Sequence, residues 1–321
     1  MHIVLLGATG FVGSHLLPEL AGRGHRCTVL CRNISRARHL RLIPDVGLKQ
    51  VRSFTPSNLA AEFAGADVVI NLVGILNERG RSGRQFSAVH EVLVENLIEA
   101  CCISGVKRVV QFSSLNAGQG KSHYLLSKGK AEALLQKAEF IEVALIRPSV
   151  IFGEGDSFFN RFAALLRIVP ALPLACPQSK LQPVWVGDVV NAVGRILQSW
   201  SPDHQSFDLV GPKVYTLKEL VEYTARVLDK KRWIIGLSDP VSRLQGFIMD
   251  FVPGKPFSSD NYQSLQLDNV SKSNALPQLG IKPCSVKSVV PGYLVRKGRQ
   301  SRLDSWRKHS TPEKPSRKPT Q

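Results

Sequence analysis

Several features that would tie this chain to a membrane, a metal or an oxidising compartment are missing from it. No apolar run approaches the about 18 residues that a membrane-spanning helix needs. Six cysteines are present, with no CxxC pair and no His/Cys spacing suited to zinc. Several lie in apolar stretches, so the expectation is free thiols packed as small hydrophobes in a cytoplasmic protein. The opening residues have neither the three regions of a secretory signal nor the Arg-rich amphipathic pattern of a transit peptide. No basic patch interleaved with aromatics is found, and no nucleic-acid partner is expected.

Negative charge is also scarce. The formal net charge is +17, and residues 296–321 hold nine Lys/Arg against two Asp/Glu. That segment has too little apolar surface to fold alone and reads as a disordered basic tail. It is either a solvated terminus or an attachment to an anionic membrane surface, which would place the protein at the periphery of an inner membrane.

What the sequence does have is alternation. From "HIVLLG" to "FIEVALIRPSVIFG", short β-rich apolar runs take turns with helical patterns. Strands this apolar are buried on both faces, and their alternation with helices predicts a doubly wound parallel sheet of the Rossmann type. Residues 1–150 form this domain. After 150 the rhythm loosens, and 151–295 reads as a smaller α/β lobe, partly interleaved with the first. Its aromatics, Phe158, Phe159, Phe162, Trp185, Phe247, Phe251 and Phe257, belong either to a core or to an apolar pocket.

The first turn carries the strongest motif. In "GATGFVG", Gly7 permits a tight turn, Gly10 lets backbone approach a pyrophosphate, and Gly13 brings helix close to strand. Thr9, Phe11 and Val12 complete this loop, and the helix N-terminus offers unpaired N–H groups to the phosphates. An acid usually ends the second strand of an NAD site, where it holds the ribose hydroxyls. Here the segment reads "VLCRNISRARHL", with Arg32, Arg36 and Arg38 and no carboxylate. A guanidinium binds a 2′-phosphate, which favours NADP(H) over NAD(H), with Arg32 as first contact and Arg36 as a second.

A second constellation is "SSLNAGQGKSHYLLSKGKAE". Tyr124 and Lys128 stand four apart on one helix face, after a strand that ends at Ser114. An ammonium beside the phenol is expected to lower a pKa normally near about 10. Tyrosine would then serve as acid or base, with Ser114 bonding the oxygen whose proton moves.

Together these motifs resemble the short-chain dehydrogenase/reductase superfamily in its extended or atypical branch, over about 290 residues. The second half, with "PVWVGDVV" and "VPGKPFSSDNYQSLQLDNV", is similar to the family of nucleotide-binding accessory subunits of mitochondrial complex I. The superfamily resemblance implies an acid/base role for Tyr124, a ribose-holding role for Lys128 and substrate orientation by Ser114. By position it sets Asn71 and Gly74 along the dinucleotide and Pro148, Ser149 and Val150 at its nicotinamide end. No metal is implied. His90 stands where extended members often carry Asn, and Ser53 where an acid usually reaches adenine. Asp188 reads as structural.

Two functions follow. One is an oxidoreductase acting on a carbonyl or hydroxyl of a small apolar or quinone-like substrate. The other is a non-catalytic NADPH-binding accessory or assembly protein linked to complex I or quinone metabolism.

Overall fold

Apolar runs become central strands here because both their faces are covered. A computed structural model describes residues 1–253 and 255–295. Its main sheet contains β1 (His2–Leu6), β2 (Arg26–Cys31), β3 (Val46–Gln50), β4 (Val68–Asn71), β5 (Arg108–Phe112), β6 (Glu142–Pro148) and β7 (Gln205–Leu209). Their order is β7-β6-β5-β4-β1-β2-β3, and every pairing is parallel. The strand order reverses between β1 and β4, which opens a ligand crevice beyond their carboxyl ends.

Successive residues of β1 serve opposite layers. Ile3 and Leu5 pack with α1 (Phe11–Gly22), whereas Val4 and Leu6 face α2 (Pro56–Phe63) and α3 (Leu93–Ser104). The helix α4 (His123–Gln136) joins the second layer through Ala131 and Leu135. All of these apolar residues are essentially buried, each contributing about 1.5–3 kcal/mol for a side chain as large as Leu or Val.

Beyond β6 come α5 (Phe159–Ile168), α6 (Val186–Gln198), α7 (Leu217–Val227), α8 (Asp239–Met249), α9 (Ser259–Leu265) and α10 (Val286–Leu294). Helix α6 returns to pack in the layer of α1, and β7 adds an edge strand beside β6. The chain therefore builds the main sheet twice, before and after it starts the second lobe. That lobe has its own core of Phe152, Phe159, Leu166, Leu220 and Val290, with Phe158, Phe162 and Trp185 packed against it. Four of the aromatics are thus core, while Phe247 and Phe251 are exposed. Helix α7 starts on a capping box: Thr216 Oγ1 accepts from Glu219 N, and Glu219 accepts from Thr216 N.

Asp188, in the first turn of α6, accepts the amide of Cys284 at 2.7 Å and ties the C-terminal segment to the sheet layer. Cys27, Cys31 and Cys101 are buried free thiols, and burial pushes Cys27 up to about 11. Among the described residues no helix is long and apolar enough to cross a membrane.

Candidate functional site

A parallel sheet puts all its strand ends on one edge, so motifs far apart in sequence converge there. The turn after β1, Arg32 after β2, Asn71 to Gly74 after β4, Ser114 after β5 and Pro148 to Val150 after β6 all lie along this edge. In the first turn, Gly7 has φ +76°, and a Cβ there would lie 2.7 Å from Val73 N. A Cβ at Gly13 would come within 2.3 Å of the Ala8 backbone. Both glycines are thus demanded by the protein's own packing. Gly10 differs. Its φ is −86°, which any residue adopts, and a Cβ there would meet only Gly7 O at 3.3 Å. The packing of the described residues does not require a glycine at this position.

Gly10 is the N-cap of α1, without a side-chain cap, and the first turn contains no acid. The amides of Phe11, Val12 and Gly13 precede any carbonyl that an α-helix could offer them. Thr9 is exposed beside them. The Phe11 ring is used for packing, near Gly153 and edge-on to His15 at 5.2 Å. The turn thus has the open backbone and positive end that a diphosphate needs.

At the end of β2, Arg32 is exposed and enters no ion pair among the described residues. Its carbonyl accepts from Gln50 Nε2 at 3.1 Å. The Arg36 side chain and the basic segment 296–321 lie outside the described residues. Ser53 is held by Asn58, whose amide reaches its hydroxyl at 3.0 Å. Asn71 is buried with both ends of its amide engaged, donating to Gln111 Oε1 at 2.9 Å and accepting from Val73 N at 3.1 Å. It fixes the turn along which Gly74 lies. The Pro148 carbonyl accepts from Leu115 N at 3.1 Å, which holds the β5 and β6 ends together beside half-buried Val150.

Helix α4 brings Tyr124 and Lys128 up to this edge. Lys128 is buried, and its ammonium donates to Phe112 O, the last carbonyl of β5, at 2.9 Å. Burial lowers its pKa to about 8, against the opposing pull of Glu132. Glu132 is itself gripped by Arg147 of β6, whose Nε reaches it at 2.9 Å. Gly74 faces the ammonium, since a Cβ there would stand 3.4 Å from Lys128 Nζ. The Tyr124 phenol departs from expectation. Its pKa is raised by burial, Ser114 beside it works the other way, and the Asp260 charge adds to the rise. The expected lowering by Lys128 does not appear: burial decides the direction. Ser114 Oγ is buried with no hydrogen-bond partner in the described residues. That is an open position for an oxygen beside the phenol.

His90, which stands where extended family members often carry Asn, is a buried strut. It lies in a π-helical turn, Ala88–Val92. Ile75 N donates to its Nε2 at 3.2 Å, so the neutral ring carries its proton on Nδ1. That proton goes to Ser127 Oγ at 2.8 Å, and Ser127 donates onward to Tyr124 O at 2.9 Å. Burial and the Lys128 charge lower the His90 pKa to about 3. The unfolded chain, whose His titrates near about 6.5, then binds a proton that the folded chain refuses. The contribution is fully present above pH 6.5 and is lost as pH falls toward 3, at about 1.4 kcal/mol per pH unit. Denaturant midpoints over this range should fall less steeply with acid in His90→Asn than in the parent.

Sequence reasoning missed Asp260. From α9 it accepts Ser122 Oγ at 2.9 Å, His123 N at 2.6 Å and Tyr124 N at 3.3 Å. The second lobe thereby caps the helix that carries Tyr124 and Lys128. Nothing in the local sequence links Asp260 to a segment more than 130 positions earlier. Ser127 and Phe86 were missed too. The Phe86 ring stands 6.1 Å from Tyr124 and forms part of the wall of a cavity of about 230 Å³, with Glu78, Arg81, Lys255 and Asp260.

Residues 7–157 match a family model described as NAD(P)H-binding. Over 317 residues the chain is 30% identical to the mitochondrial NADH dehydrogenase (ubiquinone) 1 alpha subcomplex subunit 9 of Arabidopsis thaliana, covering 92% of this chain and 78% of that protein. The chain belongs to that family, within the atypical short-chain dehydrogenase/reductases. It is an NAD(P)H-binding protein of this type. It is also 28% identical to a ceramide reductase of Caulobacter vibrioides over 255 residues, 77% of each chain. In fold it resembles the dTDP-glucose 4,6-dehydratase DesIV of Streptomyces venezuelae, solved with NAD and TYD, at a TM-score of 0.71 and 16% identity, covering 94% of this chain and 98% of that one.

Proposed function

We propose that this short-chain dehydrogenase/reductase uses NADP(H) in preference to NAD(H) to interconvert a carbonyl and a hydroxyl on a small apolar substrate. One observation carries the reading: Ser114 Oγ is buried close enough to the Tyr124 phenol to oppose the rise of its pKa, and no hydrogen bond of ordinary geometry reaches it among the described residues. A buried hydroxyl left unpaired costs about 1–3 kcal/mol, which a substrate oxygen would recover. A reduced nicotinamide bound at the strand ends supplies a hydride to the carbonyl carbon. Tyr124 gives its phenolic proton to the carbonyl oxygen, and Ser114 holds that oxygen in place. The raised pKa keeps the phenol protonated, as reduction requires. Lys128 holds a positive charge next to Gly74.

The preference for NADP(H) rests on Arg32, an exposed guanidinium at the end of β2 where no carboxylate stands. Arg32→Ala should weaken NADPH binding by about tenfold or more and leave NADH binding unchanged, as titration calorimetry would show. Equal losses for both dinucleotides would remove the preference.

A second reading, a nucleotide-holding accessory protein linked to complex I or quinone metabolism, is favoured by a latch over the site. Lys255 Nζ donates to Gly80 O at 2.7 Å, Ser258 Oγ to Asn77 Oδ1 at 3.0 Å, and Arg81 pairs with Asp250 at 3.2 Å. These contacts pin the loop after β4 to the second lobe. NADPH oxidation with a panel of carbonyls and quinones supports the first reading. No turnover, with NADPH retained through gel filtration, selects the second.

A further inference from the structure

Helix α8 packs the wrong way round for a helix that ends at solvent. It turns its small residues inward: Ser242 and Gly246 are buried, with Gly246 against the Ser258–Ser259 backbone. Its large apolar residues turn outward. Val241, Leu244, Ile248 and, one turn on, Phe251 form an exposed stripe at helical spacing, with Phe251 67% exposed. The strand that precedes α8, Trp233–Gly236, pairs with Ala171–Leu174 and adds Trp233, 79% exposed, and Ile235. Ile234 of the same strand packs against the core of the second lobe. Isolated exposed apolar residues need no explanation, but a stripe at helical spacing, with two more exposed apolar side chains on the preceding strand, marks a contact surface.

The charge around this stripe is basic on balance. Lys230, Lys231 and Arg243 are exposed and Arg232 half-buried. Of the nearby acids, buried Asp250 pairs with Arg81, exposed Asp239 accepts from Tyr262 Oη at 2.9 Å and keeps its charge, and exposed Asp229 precedes Lys230. The Arg81 guanidinium lies over the Phe247 ring, 4.6 Å from its centroid. An apolar helix face bordered by basic side chains, with a Trp at its edge, matches a bilayer surface rich in anionic lipid. Apolar side chains enter the headgroup boundary, and each Lys or Arg gains about 1 kcal/mol near such a surface.

We infer that this face, α8 with the Trp233 strand, docks the protein on an anionic membrane surface. The test is flotation of the full chain with vesicles of phosphatidylcholine, with and without about a third phosphatidylglycerol. Binding to the anionic vesicles is expected, with little to the neutral ones. Leu244→Asp with Ile248→Asp should lower the partition coefficient by about tenfold or more. NADPH affinity and melting temperature should not change, because both side chains face outward. Lys230→Glu with Lys231→Glu should give a loss that shrinks as salt is raised. Three results would overturn the inference. They are failure of the parent chain to float; binding that survives in Leu244→Asp/Ile248→Asp and vanishes when the basic residues of 296–321 are changed to Gln; and a dimeric parent that this double variant separates.

Discussion

Tyr124→Phe should reduce turnover by about a hundredfold to ten-thousandfold while leaving NADPH affinity within about twofold of the parent. The ring makes edge contacts with Phe86 and His90, at 6.1 and 5.7 Å, and phenylalanine keeps both. The variant loses the hydroxyl next to Ser114 and therefore the proton that a reduced carbonyl must receive. Ser114→Ala should act in the same direction with a smaller loss, because it removes the group that holds the oxygen and not the one that supplies the proton. Melting temperatures should not move much, since among the described residues Ser114 Oγ has no hydrogen bond of ordinary geometry to lose. The pH profile adds a separate check. Lys128 titrates near about 8 in the free protein, so loss of its charge should appear as a limb in kcat/KM on the alkaline side. Unchanged turnover in Tyr124→Phe would rule out Tyr124 as the proton donor and with it this mechanism.

The sequence speaks clearly wherever one local segment does a whole job. The strand-turn-helix at Gly7–Gly13 is local, and so is the Tyr124–Lys128 spacing. Parallel sheet geometry then carries the separate strand ends to one edge, so the fold was readable, and with it the edge at which the candidate residues meet. What was hidden depends on long-range partners. His90 looked equally suited to packing and to chemistry until Ile75 N and Ser127 Oγ were seen to occupy its two nitrogens. The direction of the Tyr124 shift was misread for the same reason. Spacing puts the lysine on the same helix face, but it does not reveal that burial governs the phenol. Asp260 reaches α4 from another lobe. Helix α8 gave no helical signal toward a core, because its apolar stripe faces away from one. The tail segment 296–321, the most visible charge feature in the sequence, lies outside the described residues.

Gly10→Ala and Gly13→Ala should separate ligand binding from folding within a single turn. At Gly13 a methyl group would sit 2.3 Å from the Ala8 Cα and carbonyl oxygen, inside backbone that cannot rotate away. Helix α1 would have to lift from β1, disturbing Leu16, Leu17 and Leu20 in the sheet layer, and the cost is expected to be about 3 kcal/mol or more. Gly13→Ala should therefore melt earlier even without dinucleotide, or fail to fold. At Gly10 the backbone angle suits alanine, and the only close neighbour is Gly7 O at 3.3 Å, so the fold should survive with little change. The added methyl instead occupies the approach to the first-turn amides. NADPH and NADH affinity should both fall by about a hundredfold, equivalent to roughly 2.7 kcal/mol. A calorimetric titration beside a thermal melt reads both quantities on the same samples. If Gly10→Ala bound dinucleotide like the parent, the diphosphate would have to lie somewhere other than the α1 N-terminus. The placement of Arg32, Ser114 and Tyr124 along the ligand would then have to be redrawn from that new position.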